Sequence, residues 1–149
     1  MKPLKRTNTM HSKRGRILFV EDEKALVDIY HDFFIKEGYD FLTTQDIQEA
    51  LLVTEFEQPD IVLLDIIIPK PENTMAEQGY DFLEAVKKNP KIKDVPVVAF
   101  TNLDSPEDRK KCKDLGASGY IFKRDCTPRE VMEFIDEVIA KDRERKGGK

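Results

Sequence analysis

The chain has 149 residues, 40% of them hydrophobic and 36% charged, with a formal net charge of −4. That length suits one compact domain with a buried core and is short for two. No apolar run approaches the ~20 residues of a membrane-spanning helix, and the basic start, MKPLKRTNTMHSKRGR, lacks the apolar centre of a secretory signal. A cytoplasmic protein is therefore expected, with Cys112 and Cys126 as reduced thiols at no metal-ligand spacing. Residues 1–16 carry six basic side chains and no acid, leaving 19 basic against 29 acidic in the rest. Such an arm could touch nucleic acid, a membrane surface or an acidic partner. Nothing aromatic or periodic accompanies its charges, so a solubilising arm over 1–15 is the expectation, with nucleic acid and membrane set aside as partners. The end, KDRERKGGK, reads as a charged tail over 141–149 after a domain at 16–140.

Strand-like and helix-like segments alternate from Arg16. RILFV is a first strand. EKALVDIYHDFFIKEG follows as a helix, with Leu26, Ile29, Tyr30 and Phe33 at helical spacing and Gly38 as its stop. YDFLTT is a second strand, and Asp46 with Glu49 makes a capping-box signal for DIQEALLVTEFE. IVLLD is the third strand, YDFLEAVKK the third helix, ended by Asn89 and Pro90, and PVVAFT the fourth strand. SPEDRKKCKDLG opens on an N-cap serine with proline behind it, and Gly116 closes it. Its only apolar anchors are Cys112 and Leu115, which predicts a lightly held helix. YIFK is the fifth strand, and Thr127, Pro128 and Glu130 open a last helix with Val131, Phe134, Ile135 and Val138 on one face. Five such units with apolar strands predict an α/β fold: a parallel five-stranded sheet, doubly wound, covered by helices on both sides.

Folds of that kind bind ligands beyond the carboxyl ends of their strands. The predicted strand ends carry Glu21 and Asp22, Asp65, Thr101 and Lys123. Three close carboxylates repel and raise one another's pKa unless a cation is present. Hard oxygen ligands around an open position suit Mg²⁺. A lysine and a hydroxyl beside them suit a phosphoryl group, one by charge and the other by hydrogen bonding. One carboxylate would then be the nucleophile that forms an acyl phosphate. Taken singly, each residue has a plainer reading: a helix cap for Glu21 or Asp22, a strand residue for Thr101, a surface charge for Lys123. Five of them at four strand ends favour the joint reading.

FVED at 19–22, LLDIIIP at 63–69, VVAFT at 97–101 and GASGYIFK at 116–123 resemble receiver domains of two-component response regulators. The resemblance covers about residues 16–140 and implies a flavodoxin-like strand order 2-1-3-4-5. It implies that Asp65 is the phosphoacceptor, that Glu21 and Asp22 are the acidic Mg²⁺ pair, and that the Ile67 backbone carbonyl completes the metal site. Thr101 becomes the switch hydroxyl, Lys123 the phosphate-pairing lysine, and Tyr120 the aromatic that swings inward when the hydroxyl engages phosphate. The implied partners are a sensor histidine kinase or phosphotransfer protein and an unknown downstream protein, and a homodimer is compatible with the resemblance. The implied activity is not enzymatic beyond the chain's own aspartyl phosphorylation and dephosphorylation.

Three departures from the family pattern stand out. Gly79 follows Asp65 by fourteen positions, six more than the common spacing. The long loop, KPENTMAEQG, could shield the site, form a partner surface, or be a tolerated insertion. Asn102 follows Thr101 where the family has a small residue, which would restrict attacking water or a phosphatase. Arg124 follows Lys123 where the family has proline after a cis bond, a geometry that costs ~2.5–4 kcal/mol without proline. These departures keep alive an alternative, a receiver-like binding module that works without phosphorylation. A third reading, an enzyme acting on a free phosphorylated metabolite, lacks the second acid that one phosphatase superfamily carries two residues past the nucleophile, since Ile67 stands there. His11 and His31 carry no phosphorelay signal.

Overall fold

The computed structural model describes residues 14–147. The arm expected over 1–15 lies outside the described residues up to Lys13, as do Gly148 and Lys149 of the tail. Arg14 packs on the domain, its guanidinium 2.6 Å from Asp136 and over the Tyr39 ring.

Five βα units follow one another: β1 (Arg16–Val20), α1 (Lys24–Lys36), β2 (Asp40–Thr44), α2 (Ile47–Glu57), β3 (Ile61–Leu64), α3 (Gln78–Lys88), β4 (Val97–Thr101), α4 (Pro106–Asp114), β5 (Gly119–Phe122) and α5 (Pro128–Arg145). The strands run parallel in the order β2-β1-β3-β4-β5. This is the doubly wound α/β sheet that the alternating segments predict, in the flavodoxin-like order that the resemblance implies.

Strand residues point alternately to two faces, and here both faces are dry. Leu18, Val20, Val62, Leu64 and Ala99 pack with Ala50 and Val53 of α2, Leu83 and Val86 of α3, and Cys112 of α4. Ile17, Phe19, Ile61, Leu63 and Phe100 pack with Tyr30 and Phe34 of α1 and Val131, Ile135 and Ile139 of α5. The second layer is aromatic: the Phe19 ring lies 5.4 Å from Tyr30, 5.6 Å from Phe100 and 5.7 Å from Phe41. Phe19→Ala would empty the middle of that cluster and is expected to cost about 3–5 kcal/mol in a urea unfolding titration.

Several local expectations are adjusted. In α1 the buried face is Tyr30 and Phe34, while Ile29 is 56% exposed. At about 100° per residue Ile29 lies roughly a quarter-turn from Tyr30, off the buried stripe, whereas Phe34 lies about 40° from it. Asp46 does cap α2, accepting from the Glu49 N–H at 2.8 Å. The Glu49 carboxylate, however, takes the Thr44 hydroxyl instead of closing a box, and Thr44 Oγ1 accepts from the Asp46 N–H. β5 begins one residue earlier than expected, and Lys123–Asp125 form a single 3-10 turn after it. α5 buries Met132 and Ile139 beside Val131 and Ile135, with Phe134 and Val138 half-buried at the margin. It continues to Arg145, its last turn supported by Asp142, 2.6 Å from Arg145 and 2.9 Å from Lys146.

Cys112 is the one buried residue of α4. Tyr80 donates to Asp108 at 2.7 Å, the Lys111 ammonium sits 4.1 Å above the Tyr80 ring, and Arg109 lies over Tyr120. These polar tethers exchange readily with water, so backbone amides of α4 are expected to exchange hydrogen faster than those of α5. Equal protection of the two helices would contradict this.

Candidate functional site

Parallel strands end together, so residues just past their carboxyl ends share one edge. Glu21 and Asp22 follow β1, Asp65 follows β3, Thr101 closes β4, and Lys123 opens the 3-10 turn after β5. All five line a single open pocket of ≈ 460 Å³, with Ile67 beside them. The ladder itself sets two of them: the Asp65 N–H donates to the Val20 carbonyl and the Glu21 N–H to the Thr44 carbonyl, both at 3.0 Å.

Glu21 and Thr101 are buried, Asp65 is 5% exposed, and Asp22 faces solvent. Glu21 Oε2 accepts from the N–H groups of Asp22 at 3.2 Å and Glu23 at 3.1 Å. Asp65 Oδ1 accepts from the Ile67 N–H at 3.2 Å. The Lys123 ammonium donates to Asp65 Oδ2 at 2.8 Å and stands 2.7 Å from Glu21 Oε1. Lys123 thus bridges the two carboxylates, its hydrogen bonding and its charge both acting on Glu21 and on Asp65. Burial, then the Asp65 charge, push the Glu21 carboxyl up to about 7 against the pull of Lys123. Burial also raises Asp65, with Lys123 opposing it most strongly. Burial alone would lower Lys123, but Asp65 and Glu21 outweigh it and hold the ammonium above the ordinary lysine range.

Ligand oxygens of Glu21, Asp22 and Asp65 lie within 4.8 Å of one another. Three hard carboxylate donors, two of them buried, beside an open mouth fit Mg²⁺. Tyr120 stands outside this pocket, half-buried, with its hydroxyl donating to the Leu103 carbonyl in the loop after β4. Asn102 lines the pocket, and the Lys123–Arg124 bond is trans, as are the other described peptide bonds. A larger groove of ≈ 540 Å³ at the opposite edge, between Lys87, Phe134 and Asp142, mixes charges of both signs and holds no buried nucleophile.

The spacing to Gly79 has a structural meaning. A Cβ there would sit 2.5 Å from the Ile66 Cα and 2.7 Å from the Asp65 carbonyl oxygen. The Gly79 N–H donates to the Ile66 carbonyl at 2.9 Å. The first turn of α3 is thus seated on the backbone that carries Asp65, and the six extra residues must bulge out before it. They fold into a turn in which Lys70 and Asn73 exchange backbone hydrogen bonds at 2.9 and 3.0 Å. Thr74 and Met75 reach the pocket lining. Individual roles for these two residues were not readable from the sequence; the excess spacing was the only signal.

A sequence model of the response regulator receiver domain matches residues 17–136. The chain belongs to that family. Solved receivers agree with the sheet order. A CheY-like receiver domain protein from Methanospirillum hungatei is 29% identical, at a TM-score of 0.76 over 89% of this chain and 98% of that one. The Vibrio cholerae chemotaxis protein CheY4 is 24% identical, at 0.72 over 83% and 97%. The receiver domain of a signal transduction histidine kinase from Syntrophus aciditrophicus is 23% identical, at 0.71 over 85% and 91%. Receivers as a family are phosphoacceptor signalling modules, which supports phosphorylation-dependent signalling in general. No helix among its described residues is long and apolar enough to cross a membrane.

Proposed function

We propose that this receiver accepts a phosphoryl group on Asp65 from a phosphohistidine of a sensor kinase or phosphotransfer protein in the cytoplasm, and then binds a downstream protein through an altered surface. The observation that carries the reading is the placement of Asp65: a nearly buried carboxylate at the floor of an open pocket, paired with Lys123 and beside Thr101. An Asp65 oxygen attacks phosphorus as the phosphorus–nitrogen bond breaks, and the partner's imidazole leaves. The Lys123 ammonium, already 2.8 Å from Asp65, moves to the phosphoryl oxygens as the carboxylate charge is converted. Thr101 donates its hydroxyl to the same group.

Glu21, Asp22, Asp65 and the Ile67 carbonyl would hold Mg²⁺, which supplies positive charge to offset that of the phosphoryl oxygens. Movement of Thr101 draws on the loop carrying Leu103, to which the Tyr120 hydroxyl is bound. The face formed by α4, β5 and α5 then changes, and with it partner affinity. The chain catalyses only the gain and loss of its own phosphoryl group.

The test is intact mass after incubation with Mg²⁺ and acetyl phosphate. Wild type is expected to gain one phosphoryl unit and Asp65→Asn none. Absence of a gain with acetyl phosphate and with phosphohistidine proteins would support a receiver-like binding module that works without phosphorylation.

A further inference from the structure

The loop between Pro69 and Gln78 is built, and its position is not free. Gly79 must lie on the backbone of Ile66, so the added residues can bulge only outward from the edge that holds Asp65. The bulge is pinned at several points. Gln78 Nε2 donates to the Ile68 carbonyl at 2.8 Å and the Pro69 carbonyl at 3.2 Å. Asn73 Oδ1 accepts from the Met75 N–H at 3.0 Å, and Ala76 is buried behind it. The result is that Thr74 and Met75 join the lining of the pocket over Asp65. Met75 is 64% exposed there, a large apolar side chain on a polar rim.

We infer that Met75 forms an added wall that slows loss of the phosphoryl group from Asp65. The inference rests on the phosphoacceptor reading above. Hydrolysis requires a water to approach phosphorus in line, on the side away from the Asp65 oxygen, which is the mouth of the pocket. The water oxygen bonds phosphorus as the bond to Asp65 breaks. Asp65 returns as a carboxylate, and the water's protons leave on inorganic phosphate and to solvent. A thioether is a poor hydrogen-bond acceptor and no base, so Met75 occupies part of that approach without orienting or activating water. Asn102 stands on the same rim, and its amide is no base either.

Wild type, Met75→Gly, Met75→Leu and Glu72→Ala would be phosphorylated with Mg²⁺ and acetyl phosphate, freed of donor, and followed by intact mass. Met75→Gly is expected to lose its phosphoryl group about tenfold faster than wild type. Met75→Leu, which keeps the apolar bulk, is expected to match wild type. Glu72→Ala, on the same loop but not in the pocket lining, should also leave the rate unchanged. Equal lifetimes for wild type and Met75→Gly would overturn the inference while leaving the phosphoacceptor reading intact. A faster loss in Glu72→Ala equal to that in Met75→Gly would also overturn it, since loop order alone would then account for the effect. Failure of wild type to take up a phosphoryl group from acetyl phosphate and from phosphohistidine proteins would overturn the phosphoacceptor reading, and this inference with it.

Discussion

Gly79→Ala is expected to lower the free energy of unfolding by about 3 kcal/mol and to disturb Asp65 in the molecules that stay folded. The added methyl would meet the Ile66 Cα at 2.5 Å and the Asp65 carbonyl oxygen at 2.7 Å. Both obstacles are backbone, held in the sheet by the Asp65 N–H bond to Val20, so neither can rotate aside. Relief requires α3 to lift from the end of β3, which breaks the Gly79 bond to the Ile66 carbonyl and shifts the residue beneath the pocket. Gly116 is the instructive comparison. A Cβ there meets the Lys87 side chain at 2.6 Å, and that flexible chain can swing into solvent. Gly116→Ala then bears mainly the strain of φ +97°, about 1–2 kcal/mol. Urea titrations of both variants test the ordering, and a Gly79→Ala loss no larger than that of Gly116→Ala would defeat the argument.

The fold was legible because its determinants are local or periodic. Strand runs such as RILFV and IVLLD are apolar on both faces, and the caps at Ser105 and Thr127 lie beside the segments they start. The five strand-end residues were legible because a parallel sheet turns sequence position into a shared edge. What escaped depends on how neighbouring elements pack. The position of Ile29 depends on which way α1 is rotated against the sheet, and Phe41, on the strand that follows, helps set that by stacking on Phe34 at 5.1 Å. The Glu49 carboxylate found Thr44 across the turn before α2 instead of its own helix end. The loop past Pro69 showed an excess length, but the direction of its bulge follows from the contact between Gly79 and Ile66. No pattern within KPENTMAEQG encodes that contact.

Lys123→Met is expected to destabilise the metal-free protein by about 3 kcal/mol at pH 8, with the loss shrinking as pH falls. The ammonium stands 2.7 Å from Glu21 and 2.8 Å from Asp65, and its side chain is 12% exposed. Without it, two buried carboxylates face each other with only hydrogen bonds from the backbone and Thr101 to oppose repulsion. In the folded protein burial already raises both groups, Glu21 from 4.5 to about 7. Between those two values the folded state holds a proton that the unfolded state has released, so stability falls as pH rises through that window. Removing Lys123 deletes the strongest opposing influence on both Asp65 and Glu21, so both move further up and the fall steepens. At pH 5, below the folded Glu21 value of about 7, Glu21 is largely protonated when folded, and the variant's deficit should be smaller than at pH 8. Added Mg²⁺ is expected to recover part of the deficit at pH 8, since a cation that binds only the folded site stabilises it by mass action. A deficit that is the same at pH 5 and pH 8 and unmoved by Mg²⁺ would mean that Lys123 acts through packing of its aliphatic stem. The pH slope and the Mg²⁺ response therefore separate a charge-balancing lysine from a merely space-filling one.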